Sequence, residues 1–177
     1  MIYMETERLI LRNVLTHDAQ IIYDYRNNEI CSRYQRGQTK DFEGIVALID
    51  RCKDDIISVD CPFFVAVALK KNNEMIGEIV IMPEDGTISL GYTFSYKHHR
   101  KGYAYEALSS LINLLHMKYP QWDFISFVES ENKPSIALLN KLGYKNMGYL
   151  AAKESFVFGK WITPSTETEI AEAMQKI

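Results

Sequence analysis

Apolar residues recur along this chain at two different periods, and the change from one to the other lays out its elements. Phe63-Phe64-Val65-Ala66-Val67-Ala68-Leu69 is a continuous apolar run of strand length, rich in aromatic and β-branched residues. Two more strand-like runs follow, Met75–Ile81 and Thr87–Phe94. The polar turn Lys70–Glu74 separates the first pair, and Met82-Pro83-Glu84-Asp85-Gly86 separates the second, with Pro and Asp-Gly favouring reversal. Links this short predict an antiparallel meander. The period then lengthens. Ala104, Ala107, Leu108, Leu111, Ile112 and Leu115 fall on one face of a helix that runs to about Lys118 and stops before Pro120. Phe124–Val128 is a further short buried strand. Strand, helix and strand with one apolar helix face predict a parallel, right-handed crossover.

The flanking segments read the same way. Arg8–Arg12 is a short first strand. Thr16 or Asp18 can cap a helix through about Tyr25, with Ala19, Ile22 and Tyr23 on one face. A short helical piece, Glu29–Tyr34, leads into the polar loop Gln35–Lys40, and Asp41 caps a helix from Phe42 to about Lys53 with Ile45, Leu48, Ile49 and Cys52 inward. After Val128, Asn132 is a natural N-cap, Pro134 sits in the first turn, and Gly143 ends the helix. Tyr144–Lys153 and Ser155–Trp161 read as closing strands, and Ser165 or Thr166 caps a last helix to Met174. The expectation is an α/β chain of α+β type, with about seven strands in a mixed central sheet flanked by helices, forming a single domain over residues 1–177.

Composition narrows the function classes. The length of 177 residues suits one domain with a real core, and 47% hydrophobic with 24% charged residues is ordinary for a soluble globular protein. A formal net charge of −3 argues against a nucleic-acid partner, because no basic excess exists to neutralise phosphates. Cys31, Cys52 and Cys61 are odd in number and lack metal-ligand spacing, so they give neither a disulfide framework nor a metal signal and fit the cytoplasm. No apolar run approaches the roughly 20 residues that span a bilayer, so no membrane association is expected. A strand after Tyr144 could pair between subunits, so monomer and homodimer both stand.

The local charge is informative where the global charge is not. Between the strand ending at Ser95 and the helix beginning near Ala104 lies Tyr96-Lys97-His98-His99-Arg100-Lys101-Gly102. A helix that starts from a glycine-containing basic loop points free N–H groups and its positive dipole end back at that loop, a site for phosphate. Gly102 has no Cβ to hold a ligand off the backbone. Ligands of such sheets sit beyond the carboxyl ends of the strands, here Phe94-Ser95 and Val128-Glu129. A nucleotide-phosphate site of another kind is disfavoured, because neither a Walker-type glycine run with Lys-Ser/Thr nor a GxGxxG is present.

His99-Arg100-Lys101-Gly102-Tyr103-Ala104, followed by Glu106-Ala107-Leu108, resembles the acyl-CoA loop of the GNAT N-acetyltransferases, whose pattern is Gln or Arg, two residues, Gly, one residue, then Gly or Ala. His99 stands where Gln or Arg is usual. About thirty residues on, Asn132, Ser135, Leu138-Leu139 and Lys141-Leu142-Gly143-Tyr144 resemble the family's second signature. The opening Thr6-Glu7-Arg8-Leu9-Ile10-Leu11-Arg12 resembles the branch that acetylates N-termini of ribosomal proteins; read without the family, it is an edge strand with outward arginines. The resemblance implies a GNAT-like fold and acetyl transfer from acetyl-CoA to an amine in a ternary complex, with no metal. It implies coenzyme contacts from Phe94, Ser95, His99, Arg100, Lys101, Gly102, Tyr103, Ala104, Asn132 and Ser135, and places the helix pair before Lys53 over the acceptor. There the chain offers Arg33, Tyr34, Arg36 and Phe42.

The chemistry sets further requirements. An alkyl amine has a pKa of about 10 and is mostly protonated at pH 7, so a base must take a proton. Glu78, mid-strand and sharing a face with Ile76 and Val80, is the first candidate and is expected to be partly buried. Glu129, at the end of the Phe124–Val128 strand, is the second. Glu106 reads as first-turn helix stabilisation. A backbone N–H near Phe94 or Ser95 is the expected oxyanion donor. Many family members place a tyrosine acid seven residues after the signature Asn; this chain has Leu139 there, leaving Ser135, water or no acid for the role. The acceptor is a protein N-terminus or a small amine such as a polyamine or aminoglycoside. The reading from another class is a non-catalytic acyl-CoA-binding domain.

Overall fold

A computed structural model describes residues 1–175. They form two compact units: Met1–Met82 with Gly91–Ser110, and Pro83–Leu90 with the chain from Leu111 onward.

In the first unit, β1 (Ile2–Glu5), β2 (Leu9–Arg12), β3 (Phe63–Leu69) and β4 (Met75–Glu84) pair antiparallel in sequence order. The strand order continues from β4 to β5 (Thr87–Phe94), which contributes its Gly91–Phe94 half here. β3 is buried along its whole length, as a continuous apolar run requires. Helices α1 (Ala19–Asn27), α2 (Glu29–Ser32) and α3 (Phe42–Cys52) follow β2. Val14, Ala19, Ile22, Tyr25, Ile45, Ile49, Phe64 and Ala66 form one buried cluster. Asp41 caps α3 as its position suggests, accepting from Gly44 N–H at 2.7 Å.

In the second unit, β5 runs parallel to β6 (Asp123–Val128), with registered pairs Thr87↔Asp123 and Ile88↔Phe124. α4 (Tyr103–Lys118), which belongs to this unit from Leu111 on, follows β5 and precedes β6 in the chain, so the expected parallel strand–helix–strand order is present. Ala107, Leu108, Leu111, Ile112 and Leu115 of α4 are buried, five of the six positions named from the period. β6 pairs antiparallel with β8 (Ser155–Lys160), and β8 with β7 (Lys145–Leu150). α5 (Lys133–Lys141) lies between β6 and β7 in the chain, and α6 (Pro164–Gln175) follows β8. No helix among the described residues is long and apolar enough to cross a membrane.

Several expectations need correction. Among the described residues eight strands are present, one beyond the about seven expected, because Ile2–Glu5 forms an additional strand. No residue of β1 is buried, so hydrophobic patterning gives no sign of it; pairing with β2 makes it a strand. The buried face of α1 holds Ala19, Ile22, Tyr25 and Arg26, while Tyr23 is 38% exposed. From Ile22, the helical steps of three and four reach residues 25 and 26, not 23. The segment before α6 is pinned by Thr163, whose N–H and hydroxyl both donate to Asp123, rather than by Ser165 or Thr166.

Candidate functional site

Within the first unit, a short 3₁₀ turn over Tyr96–His98 leads from β5 into the basic loop. Two loop residues, Arg100 (φ 60°) and Gly102 (φ 80°), are left-handed, and α4 begins immediately after. Glu106 N–H reaches the carbonyl four residues back, that of Gly102, at 3.1 Å. The N–H groups of Gly102, Tyr103 and Ala104 have no protein acceptor among the described residues. His99, the departure from the expected motif, donates Nε2–H to Phe94 O at 2.8 Å. A carbonyl only accepts, so this contact fixes the tautomer and ties the loop to the end of β5. The Lys101 ammonium turns back to Lys97 O at 3.1 Å, and the Lys97 ammonium pairs with Asp24 at 2.9 Å. Arg100 is exposed.

The opening segment reaches this loop. Glu106 Oε1 accepts from Thr6 Oγ1 at 2.6 Å and from Arg8 N–H at 2.8 Å, and Glu106 Oε2 accepts from Arg8 Nε at 2.6 Å. Arg8 Nη1 also donates to Lys101 O at 2.9 Å, and the guanidinium lies over the Tyr103 ring, 4.6 Å from its centroid. Burial raises the Glu106 pKa, but the hydrogen bonds from Thr6 and Arg8 outweigh it and hold the carboxyl below its ordinary value. Glu106 is therefore more than a favourable charge in a first helical turn. At the other end of the same segment, Arg12 is not an outward-pointing arginine. It is 3% exposed and pairs with the fully buried Asp18 at 2.8 and 3.0 Å, which takes Asp18 away from the capping role expected of it.

Glu78 is more deeply buried than alternation suggested, at 1% exposure. Both its oxygens accept from the Arg26 guanidinium, at 2.8 and 2.9 Å from Nη2. Tyr25 hydroxyl donates to Oε2 at 2.5 Å and Gln38 Nε2 to Oε1 at 2.8 Å. Desolvation pushes the Glu78 pKa up, and the opposing pull of Arg26 and Tyr25 does not cancel it. Gln38 Nε2 also donates to Thr93 Oγ1 at 2.9 Å, whereas Gln38 Oε1 is buried and has no hydrogen-bond partner among the described residues. Nearby, Gln35 Nε2 holds Tyr92 O at 2.9 Å, so two glutamines of the polar loop clasp β5. Phe42 stacks edge-on against Tyr23, and Arg33 lies over the Tyr34 ring.

The Ser95 N–H, named as an oxyanion donor, already donates to Ile76 O at 2.8 Å. The Phe94 carbonyl accepts from His99 and from Cys31 Sγ. Gly77 permits this packing, since a Cβ there would fall 2.7 Å from the Phe94 ring and 2.8 Å from Thr93 O. Phe94, Ser95, the His99–Ala104 loop and Glu78 thus belong to the first unit. The second unit holds Glu129, half-buried after β6, together with Asn132 and Ser135. Asn132 Oδ1 accepts from Ser135 N–H at 3.2 Å, so this pair starts α5 as the sequence suggested. Leu139, at the position of the missing tyrosine, is a core residue, 2% exposed.

The pattern of the acetyltransferase (GNAT) domain matches residues 8–145. The chain belongs to the GNAT acetyltransferases. Among similar proteins, the N-acetyltransferase p20 of Bacillus licheniformis, named as uncharacterized, is 30% identical over 149 residues, covering 82% of this chain and 83% of the relative. Solved structures agree on the fold. A GNAT-family acetyltransferase from Bacillus anthracis superposes with a TM-score of 0.75 at 21% identity, covering 90% of this chain and 96% of that one. A ribosomal L7/L12 α-N-protein acetyltransferase, RimL, in complex with coenzyme A, does so with a TM-score of 0.75 at 12% identity, covering 90% and 97%.

The motifs mark Arg8 and Glu106 separately but not their pairing, and the partner of Glu78, Arg26, lies outside them. Arg8 and Glu106 are 98 positions apart, and Arg26 and Glu78 are 52 apart. The available signal was a charged residue on an otherwise apolar helix face: Arg26 falls one turn beyond Ile22 and needed a buried anion to meet it.

Proposed function

We propose that this GNAT enzyme, acting as a single domain, transfers the acetyl group of acetyl-CoA to a primary amine by direct attack on the thioester. On this reading the His99–Ala104 loop receives the pyrophosphate. The observation that carries it is the loop backbone, where the N–H groups of Gly102, Tyr103 and Ala104 have no protein acceptor and sit at the positive end of a 16-residue helix. Arg100 supplies the exposed charge, and His99 holds the loop to Phe94. Asn132 and Ser135 contribute by shaping the start of α5. The three free cysteines suit a reducing compartment, and we place the enzyme in the cytoplasm.

A protein N-terminal α-amine is the favoured acceptor. An α-amine has a pKa of about 8, so about one-tenth is already unprotonated at pH 7, whereas an alkyl amine near 10 demands a far stronger base. Glu78 has both oxygens engaged, which suits an anchor for Arg26 and Gln38 better than a proton acceptor. Glu129, which follows β6, is the other candidate base, directly or through water. The opening from Thr6 to Arg12 and the name of the L7/L12 acetyltransferase of the same fold support the same class of acceptor.

The test is thiol release from acetyl-CoA in the presence of peptides with free or blocked N-termini, a polyamine and an aminoglycoside. Release with free N-termini only is the expected result. Release with the polyamine or aminoglycoside alone moves the acceptor to the small amines. Coenzyme binding with no release from any amine favours the non-catalytic acyl-CoA-binding reading.

A further inference from the structure

We propose that Arg8 is a positioning residue for the coenzyme, setting the orientation of the Lys101–Gly102 peptide and so aiming the Gly102 N–H. The inference rests on the acetyl-CoA reading above and identifies what holds that site in shape.

Arg8 is gripped at both ends by one residue of α4. Its backbone N–H and its Nε both donate to Glu106, and Thr6 Oγ1 completes that carboxylate's set. The remaining reach of the guanidinium goes to the loop, where Nη1 donates to Lys101 O at 2.9 Å. A peptide unit is planar and trans, so its C=O and N–H point in opposite directions. Fixing the Lys101 carbonyl on Arg8 therefore turns the Gly102 N–H away from Arg8, and that N–H has no protein acceptor among the described residues. The peptide is flanked by two left-handed residues, Arg100 and Gly102, a conformation that is sterically costly for a non-glycine residue such as Arg100. Arg8 also walls the loop on one side, since a Cβ on Gly102 would lie 3.3 Å from Nη2.

Charge alone does not account for Arg8 here. Glu106 pairs with it at 2.6 Å, so the pair presents little net positive potential to a phosphate. The Arg8 side chain is 43% exposed, so the pair adds little to global stability. What Arg8 adds is direction, and this depends on the planar fork of a guanidinium, with Nε on the helix and Nη1 on the loop.

Calorimetric titration of the full chain with CoA, for wild type, Arg8→Met and Arg8→Lys, tests this, with apo melting temperature and the Gly102 amide resonance as parallel readouts. Arg8→Met should weaken CoA about tenfold, the loss of one oriented charged-ligand hydrogen bond. Its melting temperature should fall by no more than about 4 °C. Arg8→Lys should not restore affinity, because an ammonium cannot make both contacts. The Gly102 amide proton should shift on adding CoA in wild type and much less in Arg8→Met. Glu106→Gln, which loosens the grip on Arg8 while leaving the loop sequence intact, should weaken CoA in the same direction and serves if Arg8→Met fails to fold. Wild-type affinity in Arg8→Met or in Arg8→Lys would overturn the positioning role. A wild type that does not bind CoA would instead bring down the reading on which it rests.

Discussion

Two arginine–carboxylate pairs in the first unit have nearly the same chemistry and opposite electrostatic outcomes. Arg26 and Glu78 are buried, with side chains 4% and 1% exposed, and the Glu78 pKa is raised. Arg8 and Glu106 are 43% and 15% exposed, and the Glu106 pKa is lowered. Desolvation is the largest influence on both carboxyls, and the balance decides the sign. Around Glu78 the loss of water exceeds what the arginine and tyrosine return; around Glu106 three donors and residual solvent exceed the loss. The lesson is that pairing with arginine does not by itself define a role. The buried pair is a fixed point between α1 and β4, and the exposed pair joins the opening segment to a ligand loop.

Breaking the buried pair should have the largest effect. Arg26→Met leaves Glu78 without its cation and should cost about 3–5 kcal/mol in urea unfolding. The double variant Arg26→Met with Glu78→Met should recover much of that loss, because the stranded charge is gone. A single variant losing less than about 1 kcal/mol would mean that Glu78 is not held as an anion.

Gly102→Asp comes next. A residue with a Cβ at φ 80° costs about 1–2 kcal/mol, its Cβ meets the Arg8 guanidinium, and its charge opposes a phosphate. CoA affinity should fall at least tenfold on the calorimeter, with only a modest drop in melting temperature. Unchanged affinity would remove the loop from the binding site. Arg8→Met should cost no more than about 1 kcal/mol in urea, several-fold less than Arg26→Met, which is the sharpest statement of the contrast between the pairs.

The smallest expected effect is on pH dependence, and its sign differs between the two carboxyls. Glu106, lowered in the fold, adds stability above the ordinary value of 4.5 that disappears as pH falls through its folded pKa. Glu78, raised in the fold, favours the folded state most below 4.5, and that advantage is lost as pH rises through its folded pKa. Urea midpoints across the acid range should therefore show Glu106→Gln with a shallower acid loss than wild type. Glu78→Gln should show a shallower decline on the side above 4.5. Parallel profiles in the two variants would contradict the assignment.

What could be read from the sequence is what local periodicity and local turn chemistry determine. The apolar run Phe63–Leu69 is β3 residue for residue, the α4 face follows its period, and the caps Asp41 and Asn132 accept from Gly44 and Ser135. Gly102 was singled out for its missing side chain and adopts a positive φ. What could not be read was pairing across the chain. Arg12 with Asp18, Arg26 with Glu78 and Arg8 with Glu106 depend on which strand lies under which helix, and period carries no such information. The fully exposed-to-intermediate β1 shows the same thing at the backbone level, since its partner rather than its own pattern makes it a strand. The candidate site therefore divides in two: the loop, its glycine and the separate residues Arg8 and Glu106 were visible in the motifs, and the pairing that joins Arg8 to Glu106 and Arg26 to Glu78 was not.

The measurement that bears most directly on the account is calorimetric titration of the purified chain with acetyl-CoA alongside 3′-dephospho-acetyl-CoA. The pyrophosphate is common to both, so micromolar-range binding of each is the predicted result. Absence of binding to either would contradict the assignment of the His99–Ala104 loop as a pyrophosphate site.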